Sequence, residues 1–156
     1  MAPLEARTPS TAAFYDAVTL DPQIVQRRAG ELAERLTWSR DRILAFQKAR
    51  LDETLHHAAQ ASPYFRDTIG RLVDAKAPLS EFPTMNKAVL MAEFDHIVTD
   101  PKLTRALVER HVESPDVGQL LLDKYRAAAT GGSSGQRGVF VYDPEAWELT
   151  VGNIRR

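Results

Sequence analysis

The residues best suited to chemistry lie in one stretch, Ala127-Ala-Ala-Thr-Gly-Gly-Ser-Ser-Gly-Gln-Arg-Gly138, followed directly by Val139-Phe-Val-Tyr142. Three glycines and three hydroxyl side chains fall within the six residues from Thr130 to Gly135. Hydroxyls donate hydrogen bonds without carrying charge. Glycine lets the backbone come close to a ligand and take φ > 0, and successive N–H groups form a concave anion nest. Apolar segments flank the stretch on both sides. The pattern predicts an anion-binding loop held between two strands.

Several known loops share part of this composition. A phosphate-binding P-loop needs Gly-x-x-x-x-Gly-Lys-Ser/Thr, and no Gly-Lys pair occurs in this chain. A dinucleotide fingerprint needs G-x-G-x-x-G between a strand and a helix. The glycines at 131, 132, 135 and 138 do not match it, and a predicted strand follows. Gly131-Gly-Ser-Ser-Gly135 satisfies Gly-x-Ser-x-Gly literally, with Ser133 as nucleophile. That elbow requires a helix next and a downstream acid and histidine. His56, His57, His96 and His111 all lie upstream.

Thr130-Gly-Gly-Ser-Ser-Gly135 resembles the Thr/Ser- and Gly-rich phosphate loop of the adenylate-forming superfamily, which includes acyl-CoA synthetases, luciferases and peptide-synthetase adenylation domains. Ala61-Ser-Pro-Tyr-Phe-Arg66, Leu79 to Pro83, and Asn86-Lys87 ahead of Phe94-Asp95 look like the N-terminal region of its phenylacetate–CoA ligase branch. The resemblance spans about residues 40 to 150. Arg137 stands where that family usually has proline, and Gly138 where a basic residue is frequent.

The resemblance implies an ATP-dependent carboxylate–CoA ligase. A carboxylate attacks the α-phosphate of Mg-ATP, and coenzyme A then displaces AMP from the acyl-adenylate. The loop would hold the outer phosphates through the hydroxyls of Thr130, Ser133 and Ser134 and the amides of Gly131, Gly132 and Gly135. Arg137 would supply the charge that lysine gives elsewhere. The implied cofactors are ATP, Mg2+ and coenzyme A, and the implied partner is a small carboxylate. No catalytic residue and no metal ligand is assigned within this chain. Two other readings stay open: a helical interaction module with a degenerate nucleotide loop, and a serine hydrolase fragment using Ser133.

The elements that must position the loop follow from periodicity. Residues 1–20 are rich in Pro, Ser, Thr and Ala and read as a flexible tail, with Phe14 and Tyr15 as anchors. Asp21-Pro22 opens a helix with Val25, Ala29, Leu32 and Leu36 on one face. Ser39 caps a second, whose stripe is Leu44, Gln47, Leu51, Leu55 and Ala58. Ser62-Pro63 ends it, and a short helix from Pro63 closes at Gly70. Asn86 and Thr104 cap two more helices. From Ser114-Pro115 the grammar changes. Leu120–Leu122 and Tyr125–Ala129 read as a hairpin, Val139–Tyr142 as a third strand, and Asp143-Pro144 opens a last helix bearing Trp147, Val151 and Ile154.

The predicted fold class is α/β: a helical region at 21–112, then at 113–156 the first strands of an adenylate-forming N-terminal domain. Because the last apolar face is still running at Arg156, the expectation is a fragment whose partner is the rest of a longer chain. Alone it should be inactive, and homo-oligomerisation is left open. The 156 residues are 44% hydrophobic and 26% charged, with net charge −1. That balance gives no electrostatic case for nucleic acid or an anionic membrane. The lack of cysteine excludes disulfides and thiolate chemistry. No apolar run approaches the roughly 20 residues of a membrane span, and a cytoplasmic setting is the expectation.

Overall fold

A computed structural model of the chain describes residues 22–114, 118–131 and 137–154. Its helices are α1 (Pro22–Glu34), α2 (Arg40–Ala61), α3 (Pro63–Asp74), α4 (Lys87–Ala92), α5 (Phe94–Ile97) and α6 (Arg105–Glu113). Strands β1 (Arg126–Ala129) and β2 (Val139–Tyr142) follow, then α7 (Pro144–Ile154). Short 3₁₀ turns occur at Arg35–Thr37 and Leu79–Glu81. The described protein is therefore mostly helical, with one two-stranded sheet. Helical and strand elements appear in the predicted order, a mixed α/β arrangement in this coarse sense.

The caps explain where most helices begin. Ser39, Ser62, Asn86 and Thr104 each accept a hydrogen bond from the backbone N–H three residues on. Asp143 does the same for Ala146 at 2.8 Å. Such a cap contributes about 1 kcal/mol. Ser62 also ends α2, is only 1% exposed, and donates its hydroxyl to the His96 carbonyl at 3.2 Å. It thereby ties the α2–α3 corner to α5.

Three boundaries differ from the sequence expectation. Gly70 does not end α3, which runs on to Asp74 because Ile69 and Val73 form one buried ridge. Burying that valine outweighs the roughly 1 kcal/mol that an interior glycine costs. The true stop is at Lys76, with φ 52°. There the Ala77 N–H reaches the Leu72 carbonyl and the Lys76 N–H reaches Val73. This is a Schellman closure with lysine where glycine is usual.

Leu36 was expected on the inner face of α1 but is 76% exposed, because the helix tightens into the 3₁₀ turn one residue earlier. The α2 stripe is covered only in its C-terminal half: Leu44 is 49% and Leu51 37% exposed, whereas Leu55 and Ala58 are half-buried. Helix α3 covers only one flank of it. The predicted strand at Leu120–Leu122 reduces to one bridge, Leu121 to Tyr125. Leu122 and Asp123 both take positive φ in the turn, so Leu122 cannot extend the ladder.

The core is built by α4, α5, α6 and the hairpin. Val108, Met91 and Val139 are 0%, 1% and 2% exposed, packed with Phe94, Leu103, Leu121 and Tyr125. Residues on both sides of position 113 thus share one cluster. Along β2, Val139 and Val141 face this core and Phe140 and Tyr142 point the other way, as strand alternation requires. On that other face Tyr142 meets Trp147 of α7 edge-on, ring centroids 5.5 Å apart. Helix α7 packs along α1. There Val151 is 4% exposed, and Arg28 reaches Glu148 at 3.4 Å.

Candidate functional site

Strands β1 and β2 pair antiparallel, from Arg126 opposite Tyr142 to Ala129 opposite Val139. The next rung is modified. The Thr130 N–H donates to the Gly138 carbonyl at 2.9 Å. In return the Gly138 N–H donates to the Thr130 hydroxyl oxygen, also at 2.9 Å. A side-chain oxygen thus replaces a backbone carbonyl at the base of the loop. The hydroxyl oxygen accepts, so its own proton stays available as a donor.

The start of β1 is fixed as firmly. The Tyr125 hydroxyl donates to Asp100 Oδ2 at 2.8 Å, and Lys124 Nζ donates to the same hydroxyl at 3.1 Å. The Lys102 N–H also donates to Asp100, at 2.9 Å. That backbone bond, then the tyrosine, hold the Asp100 carboxyl below its ordinary pKa. The bond to Tyr125 raises the Lys124 ammonium above its own. The latch joins the Asp100-Pro101 turn to the strand that enters the loop.

Of the site residues read from the sequence, Thr130 and Arg137 stand at opposite ends of the loop and Gly131 follows Thr130. Gly132, Ser133, Ser134 and Gly135 lie outside the described residues. Gly131 is exposed, and a Cβ there would meet nothing within 4 Å. Glycine permits positive φ, yet neither Gly131 nor Gly138 uses it. Gly138 is instead constrained by packing. Its Cβ would lie 3.4 Å from Phe140 Cε2 and 3.6 Å from Lys87 Cδ.

That contact brings in a residue that sequence reasoning set aside. Lys87 is the first residue of α4, and a lysine in the first turn of a short helix reads from sequence as solvent-facing. It is half-buried, with its stem against the closing residue of the loop. The sequence signals there are the Asn86 cap and the place of Asn86-Lys87 in the family resemblance, and neither says what the side chain lies beside. Two cationic side chains therefore flank the loop base, Lys87 from α4 and Arg137 from the loop itself. Arg137 Nη1 pairs with Glu113 Oε1 at 3.3 Å, at the end of α6. Both partners are about half exposed, so water screens the pair.

A buried bond carries the loop into the core. The Val139 N–H donates to the sulfur of Met91 at 3.4 Å. The first residue after the loop is thus held by the most buried residue of α4.

The remaining chemical candidates bond locally. His56 Nδ1 donates to the Asp52 carbonyl at 2.7 Å, and His96 Nδ1 lies 3.2 Å from Glu93 Oε2. Among the described residues no group of His, Cys, Asp and Glu is arranged to hold a metal ion. Trp38 is edge-on to Phe46 with Arg42 over its ring, and Trp147 is engaged by Tyr142 and Arg126, so both serve packing. Among the described residues no helix is long and apolar enough to cross a membrane.

The arrangement presents a hydroxyl donor, an open glycine and two cations around a loop anchored at both ends. Groups of these types can hydrogen-bond an anion. No family model, no curated protein and no solved structure matches this chain.

Proposed function

We propose that the 130–138 loop binds the phosphates of a nucleotide. On the sequence resemblance, the chain is the N-terminal part of an adenylate-forming, phenylacetate–CoA ligase-like enzyme. The observation that carries this reading is the pair of hydrogen bonds between Thr130 and Gly138 at the mouth of an antiparallel hairpin. It supports the reading in two ways. It fixes the spacing of the loop ends, and because the Thr130 oxygen accepts there, its own proton is left to donate.

The residues present fit a phosphate. Thr130 and the open backbone at Gly131 offer uncharged donors, and Arg137, paired with Glu113, and the stem of Lys87 lie beside them. They do not define a magnesium site, since the described residues offer no carboxylate cluster. Bound ATP would supply the leaving pyrophosphate. This chain's share of the reaction is to hold and neutralise the outer phosphates, which is most of what protein groups contribute to phosphate chemistry.

The test has two arms. In the chain itself, ATP or pyrophosphate should shift the amide resonances of Thr130, Gly131, Arg137 and Gly138 saturably, with little response in α2. In the native-length protein, pyrophosphate release should depend on both ATP and a carboxylate. Phosphate-induced shifts without release would leave a nucleotide-binding loop but refute the ligase. No shifts at the loop would refute both.

A second reading is favoured by the uncovered leucines of α2. With Leu44 and Leu51 on one exposed face, the helical part has the character of an interaction module. In that case the loop is a connector held by Arg137 and Glu113, and neither arm of the test gives a signal.

A further inference from the structure

A second concave site lies away from the loop. Its volume is about 550 Å³, between the C-terminal half of α2, the end of α3 and the Leu79–Glu81 turn. Pockets for small ligands span about 300–1,000 Å³. The walls are apolar: Leu51 and Leu55 from α2, Leu72 and Val73 from α3, and Phe82 beyond the turn. No loop residue takes part, so the site does not rest on the nucleotide reading.

The charges at its rim are uneven. Lys48, Asp52 and His56 stand one helical turn apart on α2, and Lys48 Nζ pairs with Asp52 Oδ2 at 3.1 Å. The other rim cation is Lys76. Among the described residues no acidic group pairs with it. Lys76 is also the strained residue that closes α3, at φ 52°. Glycine would meet that backbone requirement at no steric cost. A long cation held in left-handed geometry at the edge of an apolar cleft is a conformational cost that the α3 cap itself does not need. Such outliers point toward function rather than the reverse.

We infer that this cleft binds an apolar monocarboxylate, with the tail between Leu51, Leu55, Leu72 and Phe82 and the carboxylate on the Lys76 ammonium. The apolar walls supply burial, and the single uncompensated cation selects an anion over a neutral ligand of the same length. Asp52 at the rim is paired with Lys48 and more than half exposed, so water screens its repulsion of the ligand.

The test is an amide-shift titration of the whole chain with sodium octanoate, 1-octanol and sodium acetate. Octanoate should give saturable shifts at Leu51, Leu55, Leu72 and Phe82. Acetate should give none there, and octanol should bind about tenfold more weakly, the worth of one charge-assisted contact. The decisive variant is Lys76→Gly. It relieves the positive φ and should melt higher than the parent, so it cannot lose binding by unfolding. It should nevertheless weaken octanoate about tenfold and leave octanol unchanged. Equal affinity for octanoate and octanol, unchanged octanoate binding in Lys76→Gly, or shifts centred elsewhere would each overturn the assignment.

Discussion

Glycine-to-alanine substitution should change sign with position in this protein. Gly30 in α1 and Gly70 in α3 sit inside helices, and a Cβ at either would meet nothing within 4 Å. Alanine there should stabilise by about 0.5–1 kcal/mol through reduced backbone entropy in the unfolded chain. Gly152 in α7 is buried against α1, where its Cβ would come to 3.0 Å from Arg28 Cβ and 3.8 Å from the Ala29 nitrogen. The obstacle is a backbone-attached atom rather than the end of a flexible chain. Arg28 is further fixed by Glu31 at 3.2 Å, Glu148 at 3.4 Å and Glu145 at 3.8 Å.

Overpacking of this kind costs about 1–3 kcal/mol, against a helix-propensity gain of about 1 kcal/mol. The expected net effect of Gly152→Ala is a loss of about 1 kcal/mol, a fall in Tm of roughly 2–4 °C for a chain of this size. The assay is thermal and urea melting of the three alanine variants, followed by circular dichroism. If Gly152→Ala raised stability as much as Gly70→Ala, helix α7 would not lie against α1 as described. A larger residue, Gly152→Leu, should lower Tm further.

The Asp100–Tyr125–Lys124 latch has a pH signature of defined sign. Asp100 titrates below its unfolded value, so its contribution is present above the usual carboxylate range and lost as pH falls through the lowered value. Lys124 titrates above its unfolded value, so its contribution is present below the usual lysine range and lost as pH rises through the raised value. Asp100→Asn should flatten the acid arm of a Tm–pH profile, and Lys124→Met the alkaline arm; unchanged arms would remove the latch. Met91→Leu keeps the volume but leaves the Val139 N–H unsatisfied in the core. It should cost about 1–3 kcal/mol in urea melts, where a volume-conserving swap alone costs under about 1.5 kcal/mol. Glu113→Gln releases Arg137 and should tighten pyrophosphate binding measured by calorimetry, while Arg137→Ala weakens it. Stability should move by no more than about 1 kcal/mol in either case, as for other exposed pairs.

What could be read from the sequence was local. The caps at Ser39, Asn86, Thr104 and Asp143, the β2 strand and the alternation of Val139 with Phe140 all follow from short-range chemistry, and all occur. Positions that depend on a distant partner were not legible. Gly70 reads as a stop until the burial of Val73 is known. Met91 is unremarkable in a helix of six residues, yet it fills the core and bonds β2. Lys87 reads as solvated because its contact, Gly138, lies across the fold. The Thr130–Gly138 closure was foreseen only as a loop between strands. That the threonine oxygen substitutes for a carbonyl depends on the register, which composition does not fix.

The pairing of α1 with α7 carries a kinetic consequence. Arg28 and Glu148 meet across a separation of 120 residues, whereas α4 to β2 bring the core together from a continuous stretch. Closing the longer span requires giving up more chain entropy before any contact rewards it. Folding should therefore begin in the 87–142 core, with the helix pair docking last. In the native state that seam should open first. Amide exchange along α7 should be faster than in α6, even though both helices are buried on one side.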